Sequence, residues 1–271
     1  MMSDRPAKRD ESRRISLSKE GAIGWLELHN PARMNAMSMS MWESLAACVT
    51  ELAADDAVRV IVVRGHGGKA FCAGGDVSEF ADLRNGPDAT ARYDAAGKAA
   101  MDTLYATPKP TIAMIEGYCL GGGLGLALQC DLRIAASDAL LGIPAAKRAL
   151  AYSFAGVKQL VDLVGPAHAK NILFSARQFN VQEAQAMGLV TDVADPPGLR
   201  DLVVQVAGAI ATNAPLSVQA SKLMVNTATA DPQNRDIDRC KAAEAACLES
   251  EDYAEATRSF LEKRRPVFHG R

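Results

Sequence analysis

Aromatic side chains are scarce, at 5% of 271 residues with two tryptophans, so any apolar pocket is expected to be lined by aliphatic groups. No apolar run reaches the length of a transmembrane helix, which argues against a membrane span. The six cysteines (48, 72, 119, 130, 240 and 247) include no C-x-x-C pair and fall mostly inside apolar patterns. Reduced core thiols in a cytosol-like compartment fit that distribution better than a disulfide framework. Four histidines (29, 66, 168 and 269) show no ligand spacing along the chain, so no metal is expected. A net charge of -2 and a pI near 6.1 offer no global attraction for nucleic acid or an anionic membrane.

Several nucleotide and hydrolase signatures are missing as well. A Walker A pattern fails at Gly68-Lys69-Ala70, and the glycines from 121 onward do not spell G-x-G-x-x-G, because Leu126 stands at the last position. There is no G-x-S-x-G elbow. Residues 1–14 are polar, carry both charge signs and lack an apolar signal core, so they read as a disordered arm of a cytoplasmic protein.

What is present alternates between strand and helix patterns. Ile15 to Leu28 holds two alternating runs around Lys19-Glu-Gly21, a β-hairpin, and a capping-box spacing at Ser40 opens a helix over about 39–53. Buried-strand runs follow at Val60–Val63, after Pro110 in a run that ends at Gly117, at Leu132–Ala136 and at Leu140–Ile143. Such alternation predicts an α/β protein. From Gly156 the pattern becomes helical, with segments at 156–164, 166–174 and 181–187, the last capped by Asn180, then a short strand at 189–193. Pro196-Pro-Gly198 marks a boundary between a core of 15–197 and a helical region of 198–271. Its last helix, about 237–263, is expected to place Cys240, Ala243, Cys247, Tyr253, Ala256 and Phe260 near one face, packed on the core or on another subunit.

The stretch Pro110 to Leu126 runs strand, turn, helix, with glycines at 121, 122, 123 and 125. Glycines this dense clear side chains from a backbone that something approaches closely, and free N-H groups at a helix start favour an anion or a developing oxyanion. Cys72-Ala-Gly-Gly-Asp76 is a second such segment just past a strand. Each alone can be a plain tight turn; as a matched pair they suggest two N-H donors aimed at one oxygen.

The chain resembles the crotonase, or enoyl-CoA hydratase/isomerase, family through Asn30-Pro-Ala-Arg-Met-Asn-Ala-Met-Ser38, Ala70-Phe-Cys-Ala-Gly-Gly-Asp76, Ile115-Glu-Gly-Tyr-Cys-Leu-Gly-Gly-Gly123, Cys130-Asp-Leu-Arg-Ile-Ala135, Ala184-Gln-Ala-Met-Gly-Leu-Val190 and Phe260-Leu-Glu-Lys-Arg264. The resemblance implies a spiral of ββα units, a C-terminal helical region that builds trimers or hexamers, and an acyl-CoA thioester as ligand, with coenzyme A as part of the substrate and no separate cofactor. It also implies that the N-H groups of Gly75 and Gly122 hold the thioester oxygen. Asp76 reads as a helix cap. Val77 and Ser78 are implied to lie beside the CoA, with Arg33 and Lys263 as candidates for its phosphates or else solvated surface charges.

The two glutamates of the family's hydratases are replaced by Gly125 and Ala145. Ordinary water addition by a two-glutamate mechanism is therefore expected to be impaired, since one positioned acid or base is commonly worth about 100 to 10,000-fold. Lys147, Arg148, Tyr152 and Ser153 follow Pro144, and Tyr152 is the leading substitute proton donor, against the alternative of a packed tyrosine with a satisfied hydroxyl. Glu116 and Asp131 read as structural. The readings left open are a crotonase-type lyase or isomerase, a silent acyl-CoA binder, and a thioester hydrolase or carbon-carbon lyase using residues near Tyr152.

Overall fold

The computed structural model describes residues 14–83 and 85–271. The predicted arm at 1–14 therefore lies outside the described residues except for Arg14, which opens the first strand. The elements in chain order are β1 (Arg14–Glu20), β2 (Ile23–His29), α1 (Met39–Ala54), β3 (Val60–Gly65), β4 (Ala70–Cys72), α2 (Phe80–Leu83), α3 (Pro87–Ala106), β5 (Thr111–Ile115), β6 (Tyr118–Leu120) and α4 (Gly122–Leu128). There follow β7 (Leu132–Ala136), β8 (Leu140–Gly142), α5 (Phe154–Ser175), β9 (Phe179–Asn180), α6 (Val181–Ala186), β10 (Asp192–Ala194), α7 (Leu199–Ala211), α8 (Pro215–Thr229), α9 (Ile237–Leu248) and α10 (Glu251–Leu261).

The strands sort into two sheets. The larger runs β1-β2-β3-β5-β7-β10 and is parallel apart from the β1/β2 hairpin; the smaller runs β4-β6-β8-β9. Each of the units β3-β4, β5-β6 and β7-β8 gives its first strand to the large sheet and its second to the small one before a helix returns the chain. Repetition of that step is the ββα spiral of a crotonase fold. It also stacks the ends of β4, β6 and β8 beside one another, which is where the glycine segments sit.

Strand alternation divides the core between the two faces of the large sheet. Ile61, Val63, Ala113 and Ile115 point inward to a large cluster with Phe71, Cys119, Leu124 and Leu160. Val60, Val62, Ile112 and Met114 point outward and are covered by Leu199, Val203 and Ala207 of α7. The first helix after Pro196-Pro-Gly198 is thus part of the sheet's own packing. Burying a large aliphatic side chain contributes roughly 1.5–3 kcal/mol, so this outer layer anchors the start of the C-terminal region.

Two helical segments differ from what apolar periodicity announces. Pro87–Ala106 is a long helix that apolar periodicity does not announce, because only Tyr93, Ala100 and Leu104 are buried along it. The last helix is two, broken before Ser250, whose side chain accepts from Tyr253 N and caps α10. Its buried face is polar, made of Asp252, Glu255 and Ser259, while Tyr253 and Phe260 are exposed. Asp252 accepts from the backbone of His269 and Gly270, and Glu255 from Arg258, Arg264 and Val267 N. The returning tail satisfies these carboxylates, so charge rather than apolar area fixes this face. Among the described residues no single helix is long and apolar enough to cross a membrane.

Candidate active site

The loop after β4 is held from one side by two asparagines. Asn35 donates to the carbonyls of His66 and Ala70, and Asn30 donates to Ala36 O and to Asp76 Oδ2. Met37 then forms a parallel bridge to Gly75, made by Met37 N to Gly74 O (2.8 Å) and Asp76 N to Met37 O (2.8 Å). The bridge uses the groups on either side of the Gly75 N-H and leaves that donor itself unspent. Asp76 is buried, and its Oδ1 accepts from Ser78 N (3.0 Å) and Ser78 Oγ (2.6 Å), so it caps the 3-10 turn Val77–Glu79. A carboxylate committed to these donors is a positioning group.

On the facing side, Gly121 precedes α4 with φ 54°, and its N-H donates to Gly142 O at 2.8 Å. Gly122 is the first helical residue, so its N-H has no carbonyl one turn earlier to bond. Close approach demands the neighbouring glycines. A Cβ on Gly123 would stand 2.1 Å from Cys72 O, and Gly74, at φ 108°, already lies so near that a Cβ there would meet Gly122 N at 3.3 Å. The two segments are in direct backbone contact, and Gly75 N lies 3.6 Å from the place a Cβ on Gly122 would occupy. Two backbone amides with no acceptor among the described residues therefore lie close together. Such a pair can hold one oxygen as it gains negative charge.

Next to those donors the glutamate positions of the resemblance are occupied in an unexpected way. A Cβ on Gly125 would fall 2.6 Å from the Tyr152 hydroxyl and 3.6 Å from the Met101 methyl. Tyr152, on the loop before α5, thus fills the space that a side chain at 125 would take. Its hydroxyl makes a long contact of 3.4 Å to Gly121 O, one residue before the donor Gly122. Burial, and to a smaller extent the neighbouring Cys119, pushes the phenol up to about 12, so it is neutral and able to donate across the physiological range. Ala145 opens the 3-10 turn Ala146–Arg148 and receives the amides of Arg148 and Leu150 on its carbonyl. Lys147 and Arg148 are exposed and Ser153 caps α5 through Gly156 N.

The structure brings Gly75, Asp76, Ser78, Gly122 and Tyr152 together. Val77 is 49% exposed beside them, where it is free to meet a ligand. Arg33 is exposed in the turn just before Met34, whose carbonyl accepts from Ala73 N, and so flanks the same loop. Lys263 follows α10, just ahead of the tail that docks on Arg59 and Pro215. Glu116 follows β5, and burial raises its pKa; Asp131 ties Thr111 to Lys222 with bonds of 2.7 and 2.8 Å.

Two residues on α3 were missed by the sequence reading. The Tyr93 hydroxyl lies 2.4 Å from the Cβ position of Gly75 and accepts from Trp42 Nε1 at 3.1 Å, and Met101 borders Gly125. The spacing Tyr93, Gly97, Ala100, Met101, Leu104 was the available helical signal, weakened by small residues.

Comparison with known proteins bears on the family and the fold. A family model described as Enoyl-CoA hydratase/isomerase matches residues 18–271. The chain is 36% identical to a crotonyl-CoA hydratase of Syntrophomonas wolfei over 259 residues, covering 94% of this chain and 97% of that one. It is 32% identical to an (E)-benzylidenesuccinyl-CoA hydratase of Thauera aromatica, over 94% and 99%. A crystal structure of an enoyl-CoA hydratase/carnithine racemase from Magnetospirillum magneticum superposes with a TM-score of 0.89 at 36% identity, covering 95% of this chain and 96% of that one. The chain belongs to the enoyl-CoA hydratase/isomerase, or crotonase, family.

Proposed function

We propose that the protein is an acyl-CoA-binding enzyme of crotonase type that stabilises a thioester enolate between the N-H groups of Gly75 and Gly122. The observation that carries this reading is the pair of uncommitted backbone donors in contact across β4 and α4. The CoA portion runs past Val77 and Ser78 with Arg33 and Lys263 available to its phosphates, and no cofactor beyond the substrate's own CoA is required. Relatives named as hydratases of crotonyl-CoA and benzylidenesuccinyl-CoA support the substrate class.

Standard hydration needs a base for water, and Gly125 and Ala145 supply none. Tyr152 in the space beside Gly125 favours a second reading within the same site. A neutral phenol is a poor base but a competent donor, so it suits a reaction that makes its enolate by breaking a carbon-carbon bond. Loss of carbon dioxide from an α-carboxylated acyl-CoA sends the bonding pair to the thioester carbonyl, where the two N-H groups hold it. The Tyr152 hydroxyl then protonates the α carbon, and water restores the phenol. A silent acyl-CoA-binding protein is the remaining alternative.

Exposed apolar side chains such as Phe154 (83%), Phe174 (76%) and Phe260 (82%) support assembly into a homotrimer or hexamer. The test of function is a panel of enoyl- and α-carboxyacyl-CoAs followed by thioester absorbance and mass spectrometry. Turnover of either class supports the enzyme, and its identity decides the reaction. Binding of the panel without any product leaves the silent binder.

A further inference from the structure

Glu27 and His29, at the C-terminal end of β2, meet His66, which follows the neighbouring strand β3, in the interior of the large sheet's strand order. Glu27 and His29 alternate onto the same face of β2, and His66 follows β3, the parallel neighbour, with its backbone N-H bonded to Leu28 O at 2.9 Å. The three side chains, all partly buried, offer ligand atoms within 4.8 Å of one another. The imidazole rings lie 4.0 Å apart, centre to centre. We propose that Glu27, His29 and His66 form a binding site for a divalent transition-metal ion such as Zn²⁺.

Two imidazoles and one carboxylate are borderline donors suited to Zn²⁺, Co²⁺ or Ni²⁺ rather than to Mg²⁺ or Ca²⁺. Around a tetrahedral ion with bonds of about 2 Å, ligand atoms stand roughly 3.3 Å apart, so side-chain rotation alone closes the site. His66 Nδ1 already meets Glu27 Oε1 at 2.9 Å, and Arg64 takes Oε2 at 2.7 Å while lying over the Trp25 ring. The guanidinium orients the carboxylate as an outer-shell partner does, and its charge opposes a second cation on the same carboxylate. The site adjoins the asparagines that hold the Gly75 loop, since His29 precedes Asn30 and His66 O accepts from Asn35. An ion here ties β2 to β3 at the root of that loop.

The test is titration of the purified full chain with Co²⁺ and Zn²⁺ at neutral pH, read by visible absorption, calorimetry and melting temperature. Expected are Co²⁺ d-d bands without thiolate charge transfer, displacement by Zn²⁺, and a rise in melting temperature. His29→Ala and His66→Ala should each weaken Zn²⁺ binding at least ~10-fold, with circular dichroism reporting the fold. Because Glu27→Gln strands Arg64 and can destabilise the sheet, the histidine variants carry the decision. Unchanged affinity in the His29→Ala/His66→Ala double variant, thiolate bands with Co²⁺, or no binding at millimolar metal would each overturn the proposal.

Discussion

The two halves of the candidate site are built by opposite means. The donor half is backbone: Gly75 and Gly122 present N-H groups from segments pressed together so closely that a side chain on Gly123 would strike the carbonyl of Cys72. The half beside Gly125 is made by a side chain, because Tyr152 reaches in from the loop before α5 and takes the volume that Gly125 leaves open. A backbone device is rigid and indifferent to which reaction follows, whereas a side-chain device sets the proton chemistry. Family members can therefore keep the first and exchange the second. On the proposed reading, the difference assigns binding to one half and reaction choice to the other.

Breaking the donor half should have the largest effect. A methyl group fits at Gly122, where the nearest atom to a Cβ is Gly74 Cα at 3.6 Å, but the branches of valine would press on Gly74 and Gly75. Gly122→Val is expected to lower turnover, or thioester affinity if the protein only binds, by ~100-fold or more, the scale of one lost oxyanion donor. Gly122→Ala should be far milder. Activity and affinity equal to wild type in Gly122→Val would remove the paired-donor reading.

The proton-transfer half can be sharpened by moving one side chain. Tyr152→Phe keeps the ring and removes only the hydroxyl, so a role as donor predicts a kcat reduced by ~100-fold with little change in KM. Because burial holds the phenol near 12, wild-type activity should show no alkaline limb from this group below about pH 11. A smaller effect is expected from placing a glutamate at position 125. As a single change it collides with the Tyr152 hydroxyl and should destabilise the protein; combined with Tyr152→Ala it has room and should raise enoyl-CoA hydration above the wild-type level. Hydration by wild type as fast as by the double variant would show that the missing carboxylate is irrelevant.

The same contrast explains what could be read in the chain beforehand. The glycine segments, the Asp76 cap and the ββα alternation are local, written in consecutive residues, and each fixes backbone conformation directly. The contact of Tyr152 with Gly125 and of Tyr93 with Gly75 joins residues far apart in sequence, and no periodicity encodes it. Apolar periodicity does not announce α3 because small residues dilute its buried stripe, and within the chain α10 buries Asp252, Glu255 and Ser259 while Tyr253 and Phe260 stay exposed. Apolar periodicity presumes that buried means apolar. Where a returning tail brings arginines and backbone amides, carboxylates are buried instead. His29 and His66, likewise, become neighbours only once β2 and β3 are paired.

That polar face of α10 yields the smallest expected effect, and it separates the C-terminal region from the active site. Glu255 accepts hydrogen bonds from Arg264, Arg258 and Val267 N, which hold its carboxyl well below the usual glutamate value of about 4.3. A depressed folded-state pKa stabilises the docked tail fully at pH values above the unfolded one, and that contribution disappears as pH falls through the folded value. Melting curves between pH 7 and pH 3 should therefore show the tail loosening at the acid end, with the amides of His269 and Gly270 losing exchange protection before those of β3 and β5. Glu255→Gln should bring the same loosening to pH 7 and flatten its acid dependence. The glycine donors contain no titratable group and should hold their geometry over this range. Simultaneous loss of protection in the tail and in β5 would show that the two regions unfold as one unit and that the tail's carboxylates hold the sheet as well.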